Sequence, residues 1–324
     1  MDLTRRQAIG AGLAALGVAS FGQRAAGQTS VPAANRRRVL RVAHITDCHL
    51  QAGPAEGGLA RCFQHMRSQA DAPTLILNTG DTVFNADARD EAETALQWAL
   101  WRRITRAENS LPMEHALGNH CFWGANRERS KTTGREPRWG TKWAVDELGM
   151  PGPYYSFDRA GWHFVSLFNT RFNDAGGYTG GLDDEQFEWL AEDLRRRPAN
   201  RPTVILSHIS IVSVCSFFDG NNEREGGGWT INGGAMHTDA RRLMQLFREV
   251  GNVRLCLSGH KHQVDLAELY GTRYWCGGAV SGNWWNDANP AHLGFERGYS
   301  LIDLYDDGSN DIQYVEYDLG YKPA

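Results

Sequence analysis

From Arg38 onward, short apolar runs alternate with segments of helical periodicity. Residues 40–45, 74–77, 113–117, 162–168, 203–206 and 253–257 are largely runs of Val, Ile and Leu, the pattern of strands buried on both faces. Residues 59–69, 89–106, 142–148, 184–196 and 240–250 predict helices. In the fourth of these, Phe187, Leu190 and Leu194 form an apolar stripe at helical spacing, and Asp183 or Asp184 supplies the N-terminal cap. Such alternation predicts a layered α/β architecture. After Gly259 the pattern changes: residues 264–269, 273–276, 299–304 and 313–317 read as successive strands with no helix between them, so a mixed sheet or sandwich finishes the fold. The connections at 122–140, 210–237 and 283–298 far exceed the usual four to six residues or so. Long ordered loops generally carry function.

Composition narrows the class. Hydrophobic residues make up 41% and charged residues 22% of the 324, which excludes a disordered, collagen-like or coiled-coil chain. Thirty-four basic against 38 acidic side chains leave a net charge of −4 with no long block of one sign, so binding to a nucleic-acid duplex by bulk electrostatics is not expected. The six cysteines include no Cys-x-x-Cys pair, which argues against a zinc ribbon or a dense disulfide framework. At the N-terminus, Arg5 and Arg6 precede an Ala/Gly/Leu run from Ala8 to Phe21 and a small-residue stretch ending at Gln28. This predicts a twin-arginine export signal over residues 1–28, a linker over 29–38 and a single domain over 39–320. The apolar run is shorter than the roughly 20 residues a spanning helix needs. The expectation is therefore a chain passed through the twin-arginine translocase to the periplasm or exterior, with no membrane span once matured. Arg5, Arg6 and Arg24 against Asp2 carry +2 of the charge, leaving −6 on the remainder. That route carries folded proteins, which suits one that acquires a cofactor before it leaves.

Five polar signatures each stand at the end of a separate strand candidate: Asp47-Cys48-His49, Gly80-Asp81, Gly118-Asn119-His120, His208 and Gly259-His260-Lys261-His262. Open α/β sheets place their sites beyond the carboxyl ends of strands, so these five should converge on one cleft. Asp47 and His49 are two apart, as are His260 and His262, and in extended backbone each pair lies on one face. Two carboxylates, an amide oxygen and four imidazoles make a mixed O/N donor set, too large for one tetrahedral ion but suited to two transition-metal ions. A carboxylate is the natural protein bridge between such ions, and Asp81 is the best placed.

In order and spacing, this series resembles the calcineurin-like metallophosphoesterase superfamily, over residues 47–262. The resemblance implies a two-sheet α/β/β/α sandwich with mixed sheets. It implies one metal held by Asp47, His49, Asp81 and His262, and a second by Asp81, Asn119, His208 and His260. His120 would stand beside the metals without binding either and protonate the leaving group or bind the equatorial oxygens. The implied cofactors are two divalent or mixed-valence ions of Mn, Fe or Zn, and the implied reaction is metal-activated hydroxide attack at phosphorus. Two positions depart from the pattern. Cys121 occupies the place of an acidic residue that pairs with the histidine, and a thiol accepts hydrogen bonds poorly. Phe84 stands where the purple acid phosphatase branch carries a metal-binding tyrosine, which argues against that branch.

The substrate side is read from the long loops. Residues 122–140 carry a local +3 from Arg127, Arg129, Lys131, Arg135 and Arg138 against Glu128 and Glu136, and cations leaving His120 can meet phosphate oxygens. Cys121, Arg127, Arg129, Trp229, His237 and Trp284 are the candidate substrate contacts, the aromatics offering faces for a base or other flat group. His292 is a further candidate. Large loops favour small phosphodiesters or nucleotides over phosphoproteins. The alternatives are a phosphomonoesterase, a mononuclear metallohydrolase acting on another bond, and a non-catalytic metal-containing binding or scaffold protein on the same fold.

Overall fold

The computed structural model describes residues 36–174 and 176–318. The export signal and residues 29–35 of the linker lie outside the described residues, as do 319 and 320. In chain order the elements are β1 (Arg38–Ile45), α1 (Pro54–Arg67), β2 (Leu75–Asn78), α2 (Glu91–Glu108), β3 (Met113–His115), α3 (Arg127–Ser130), α4 (Lys142–Leu148), β4 (Tyr155–Arg159) and β5 (Trp162–Ser166). They continue with β6 (Thr170–Phe172), β7 (Tyr178–Gly180), α5 (Asp184–Arg195), β8 (Thr203–Leu206), α6 (Cys215–Phe218), α7 (Ala240–Val250), β9 (Val253–Ser258), β10 (Val264–Leu269), β11 (Thr272–Gly277), β12 (Gly298–Tyr305) and β13 (Asn310–Glu316).

One sheet runs β13-β12-β1-β2-β3 and the other β10-β11-β9-β8-β5-β4, with β6 and β7 forming a separate hairpin. β1, β2 and β3 are parallel, while β12 and β13 join antiparallel. In the second sheet β5, β8, β9 and β11 are parallel, with β4 and β10 antiparallel at the edges. Both sheets are therefore mixed, as the sequence predicts.

Alternation along the strands builds three apolar layers. Leu40, Val42, Leu75 and Leu77 from the first sheet meet Phe164, Val204, Leu206, Leu255 and Leu257 from the second in the central core. The opposite face of the first sheet, with Ala43, Ile45 and Ile76, packs on Leu59, Phe63 and Met66 of α1 and Trp98, Trp101 and Ile104 of α2. The outer face of the second, with Val165, Ile205 and Cys256, packs on Leu190 and Leu194 of α5 and Leu243, Leu246 and Phe247 of α7. The order is α/β/β/α. Each such side chain contributes about 1.5–3 kcal/mol on burial, so truncating one in the central layer, such as Leu257→Ala, costs about 2–5 kcal/mol. Among the described residues no helix is long and apolar enough to cross a membrane.

Local signals explain most helix ends. The Asp90 carboxylate accepts from the Glu93 N–H, and Asp183 accepts from the Gln186 N–H, each satisfying a donor that the first helical turn leaves open. The helix expected from residue 59 starts at Pro54 instead. Gly57 and Gly58 hide that start, because glycine is a poor helix former. Position 58 has a tertiary reason: a Cβ there would lie 1.9 Å from the Trp285 ring.

Candidate metal centre

The five signatures all follow parallel strands. Asp47 and His49 follow β1, Asp81 follows β2, Asn119 and His120 follow β3, His208 follows β8, and His260 and His262 follow β9. Parallel strands side by side within each sheet, and two sheets face to face, bring loops from both sheets to one rim.

Side chains at positions two apart do converge, but not through strand alternation. Asp47, His49, Asp81, His260 and His262 all have positive φ, between 40 and 71°. A run of non-glycine residues in the left-handed region costs energy and persists only where its surroundings hold it, most often at functional sites. The first loop is held by Asp47 N–H donating to Gly80 O at 3.0 Å and His49 N–H donating to Asp81 O at 2.9 Å. Two glycines permit the close approach: a Cβ at Gly118 would sit 2.1 Å from Asp81 Oδ1, and one at Gly259 would sit 2.2 Å from Asp47 Oδ2.

The resulting donor atoms form overlapping clusters, among them Asp47, His49 and His262, and Asp81, His208 and His260. In the first, Asp47 Oδ1 is 3.5 Å from His49 Nε2 and 3.3 Å from His262 Nε2, and the two imidazole nitrogens are 3.0 Å apart. In the second, His208 Nε2 is 3.0 Å from Asp81 Oδ2 and 3.3 Å from His260 Nδ1. Asp81 Oδ2 also lies 3.8 Å from His49 Nε2, so its carboxylate stands between the clusters. Asn119 is buried at the same rim.

The chemistry of these donors suits a cation. His208 Nδ1 lies 2.9 Å from Thr79 O and His262 Nδ1 lies 2.6 Å from Gly282 O. A ring that donates from Nδ1 to a carbonyl presents a lone pair at Nε2. Lone pairs of two rings then face carboxylate oxygens, an arrangement that a proton or a metal ion must relieve. Buried Asp47 Oδ1 and Asn119 Oδ1 have no hydrogen-bond partner among the described residues, and burial without a partner is costly. Metal bonds of about 2.0–2.1 Å place neighbouring ligands roughly 3–3.4 Å apart, close to the separations found. The residues fit the implied metals.

Electrostatics agree. Burial opposes charge on both carboxylates, but His262 and His208 hold Asp47 well below the ordinary carboxylate range, and His208 and His120 do the same for Asp81. Burial also opposes charge on His208, yet Asp81 and Asp47 outweigh it and raise its pKa to about 9. At His49 and His260 burial wins, lowering them to about 4 and about 3. Neutral imidazoles are the form that binds metal.

His120 joins His49 and Asp81 in a further cluster, but its other ring nitrogen is engaged by a carboxylate outside the donor set. Its Nδ1 is 2.8 Å from Asp87 Oδ1, its Nε2 is 4.0 Å from Asp81 Oδ2, and its N–H donates to Asp81 Oδ1 at 2.9 Å. Burial disfavours its charge, but Asp81 and the hydrogen bond it donates to Asp87 raise its pKa above the ordinary value. The carboxylate expected at position 121 is thus supplied by Asp87, from the short 3₁₀ turn Ala86–Ala88. Sequence reasoning missed it because nothing in the local pattern marks an aspartate six residues beyond Asp81 as facing a histidine after β3.

The remaining candidates divide. Trp284 is at the site: its ring centroid lies 3.7 Å from that of His49, 5.0 Å from His262 and 5.5 Å from His120, with Phe84 edge-on at 5.7 Å. Its neighbour Trp285 is buried and donates from Nε1 to Cys48 O at 2.8 Å, which fastens the loop. His292 is also near, 5.6 Å from His262 ring to ring.

Cys121 corrects the sequence expectation: it is buried in the apolar layer beneath α1 and α2, and burial first, then Asp81, pushes its thiol up to about 11. It faces core rather than substrate. His237 is buried too, with Nδ1 2.9 Å from Asp239 Oδ1 and Nε2 in contact with the Asn169 amide. Asn169 Oδ1 accepts from His208 N–H at 3.3 Å, so His237 sits behind a candidate ligand rather than in the cleft. Arg127 lies over the Trp139 ring, Arg129 is exposed on α3, and Trp229 packs on Phe217 and Phe218. Among the described residues no recorded contact joins these three to the donor clusters.

A two-sheet α/β/β/α sandwich with Asp, Asn and His donors on the rim of its parallel strands defines a class, the metallophosphoesterases. The family model for calcineurin-like phosphoesterases matches residues 40–264, and the chain belongs to that family. Among solved structures it is similar to a dimetal phosphatase from Danio rerio, with 12% identity over 87% of this chain and all of that one, at a TM-score of 0.53. A purple acid phosphatase from yellow lupin seeds matches at 15% identity and a TM-score of 0.52, over 87% of this chain and 52% of the lupin chain. GAP50, the anchor in the inner membrane complex of Plasmodium, matches at 15% identity and a TM-score of 0.50 over 88% of this chain and 87% of its own. At such identity these likenesses speak to the fold alone. No curated protein matches the chain in sequence.

Proposed function

We propose that this protein hydrolyses phosphoric esters with two bound metal ions, favouring small phosphodiesters or nucleotides. Asp47, His49, Asp81 and His262 would hold one ion, and Asp81, Asn119, His208 and His260 the other. When bound, such ions neutralise phosphoryl charge and supply hydroxide near neutral pH. The chain's own residues do the rest. His120, whose pKa Asp81 and Asp87 hold above the ordinary imidazole value, is placed to donate a proton to the leaving oxygen. Asp87 Oδ1 fixes the ring through Nδ1, so Nε2 faces the cleft. Trp284 offers an aromatic wall beside His49 and His262, which supports a preference for esters bearing a flat group.

The observation that carries the reading is Asp81 lying between two imidazole clusters, with buried Asp47 Oδ1 and Asn119 Oδ1 lacking other partners. The fold alone does not decide activity, since it also serves GAP50 as an anchor. The paired His120 and Asp87 favour an enzyme over a scaffold. The test is turnover of bis(p-nitrophenyl) phosphate and p-nitrophenyl phosphate after loading with Mn²⁺, Fe²⁺ or Zn²⁺, alongside metal content. Wild type should turn over the diester faster, and Asp81→Ala should lose both metals and activity. No turnover with any of the three metals, at full metal occupancy, overturns the proposal.

A further inference from the structure

Beside His260, the rim carries a second aromatic side chain that none of the sequence signatures contains. Tyr178, in β7, sets its ring edge against His260, with centroids 5.9 Å apart and planes at 77°. Its ring is also 5.9 Å from Phe172 across the hairpin, and Phe172 lies 4.5 Å from Phe122, two residues beyond His120. The hairpin is well fastened: Gly180 N–H donates to Gly233 O at 2.7 Å, Thr238 N–H to Gly180 O at 2.8 Å, and Gly181 N–H to Asn169 O at 2.9 Å. The last of these ties it to the residue that braces His208. A side chain held by that many anchors has a defined position.

Tyr178 is partly buried, and among the described residues its hydroxyl has no hydrogen-bond partner and is not sealed from solvent. A partly buried tyrosine hydroxyl usually finds a partner. The groups around this one are Asp47, Asp81 and Asp87 and the ring of His260. The carboxylates are occupied with ligand positions and with His120. What the rim lacks is an acceptor that arrives from outside, and a phosphoryl oxygen drawn to the donor clusters is such an acceptor.

We infer that Tyr178 is a substrate-contacting residue whose hydroxyl donates a hydrogen bond to a phosphoryl oxygen of the bound ester, on the His260 side of the cleft. This rests on the phosphoesterase reading above and adds to it a neutral donor from outside the five signatures. Phe84, where a tyrosine would follow Gly-Asp, has no hydroxyl. Tyr178 therefore brings a phenol to the rim from another part of the chain.

Tyr178→Phe removes the hydroxyl and keeps the ring packing on His260 and Phe172. In metal-loaded protein, orthophosphate binding measured by calorimetry should weaken about 10–100-fold, the range for hydrogen bonds to charged groups. Turnover of bis(p-nitrophenyl) phosphate should fall by a similar factor, with metal content and melting temperature unchanged. Tyr178→Leu removes the ring as well and separates the roles. If Tyr178→Phe matches wild type in phosphate affinity and turnover while Tyr178→Leu loses metal or stability, the residue is merely structural and the inference is overturned. Because phosphate binding is read without turnover, an inactive wild type would count against the phosphoesterase reading, whereas unchanged phosphate affinity in Tyr178→Phe would count against the phenol.

Discussion

Asp87 and Cys121 exchange the parts that their positions suggest. The residue directly after His120 points into the core, because a short 3₁₀ turn, Asn119–Cys121, rotates successive side chains by about a third of a circle. His120 then faces the cleft and Cys121 the apolar layer. The carboxylate instead comes from residue 87, across the rim. If Asp87 both orients the imidazole and keeps it charged, Asp87→Asn should reduce turnover about 10²-fold or more. It should also move the alkaline limb of the pH–rate profile to lower pH. The sign follows from the shift: removing an anion removes what raises the His120 pKa, so the acid form is lost earlier as pH rises. A pH–rate profile of the variant checks this, and an unmoved limb would assign the alkaline limb to another group.

At the level of elements, the donor loops work because two peptide segments pass closer than any side chain allows. The loop after β9 crosses the loop after β1, with Gly259 against Thr46 and Asp47, and His260 N–H donating to Asp47 Oδ2 at 2.8 Å. A methyl group at position 259 would lie 1.8 Å from Thr46 Oγ1, so the two loops must part. Gly259→Ala should therefore lower metal affinity by at least about tenfold, as loss of ligand support does. Gly152→Ala, whose added Cβ would meet only Tyr154 O at 3.6 Å, serves as the matched control. Metal titration of both variants by calorimetry decides. Equal affinities would mean that the loop crossing does not set ligand geometry. The same reasoning explains α1, where Gly58, a poor helix former, leaves the space into which Trp285 fits, and Trp285 fastens the loop that carries Trp284.

Across the whole molecule, folding assembles a charge cluster that a metal ion and protons compete for. In the metal-free protein His208 has its pKa raised to about 9, so at neutral pH it carries a proton that must leave before Nε2 can bind metal. Affinity of the site holding His208 should rise about tenfold per pH unit between roughly pH 6.5 and 9, with about one proton released per ion, then level off. Without metal the sign reverses. The raised His208 pKa adds stability that is fully present below about 6.5 and fades as pH rises through about 9, so metal removal should be most damaging in alkali. Calorimetry in buffers of different ionisation enthalpy reads the proton count directly, and a count of zero at neutral pH would reject the ion pair of His208 with Asp81.

Much of this was legible along the chain. Continuous Val, Ile and Leu runs announce strands such as β2 and β8, because burying both faces of a central strand leaves no room for polar alternation. Donor residues follow those strands at recognisable spacings, so the ligand candidates can be named before any contact is known. What a linear pattern does not contain is which way a side chain turns once the strand has ended. The left-handed turns at Asp47, His49, Asp81, His260 and His262 and the seating of the hairpin that carries Tyr178 rest on hydrogen bonds between segments far apart in sequence, while the 3₁₀ turn that sends Cys121 inward is closed locally but has no mark in the residue pattern. Identity is written residue by residue, whereas proximity is produced only when the two sheets close on each other and bury the loops that join them.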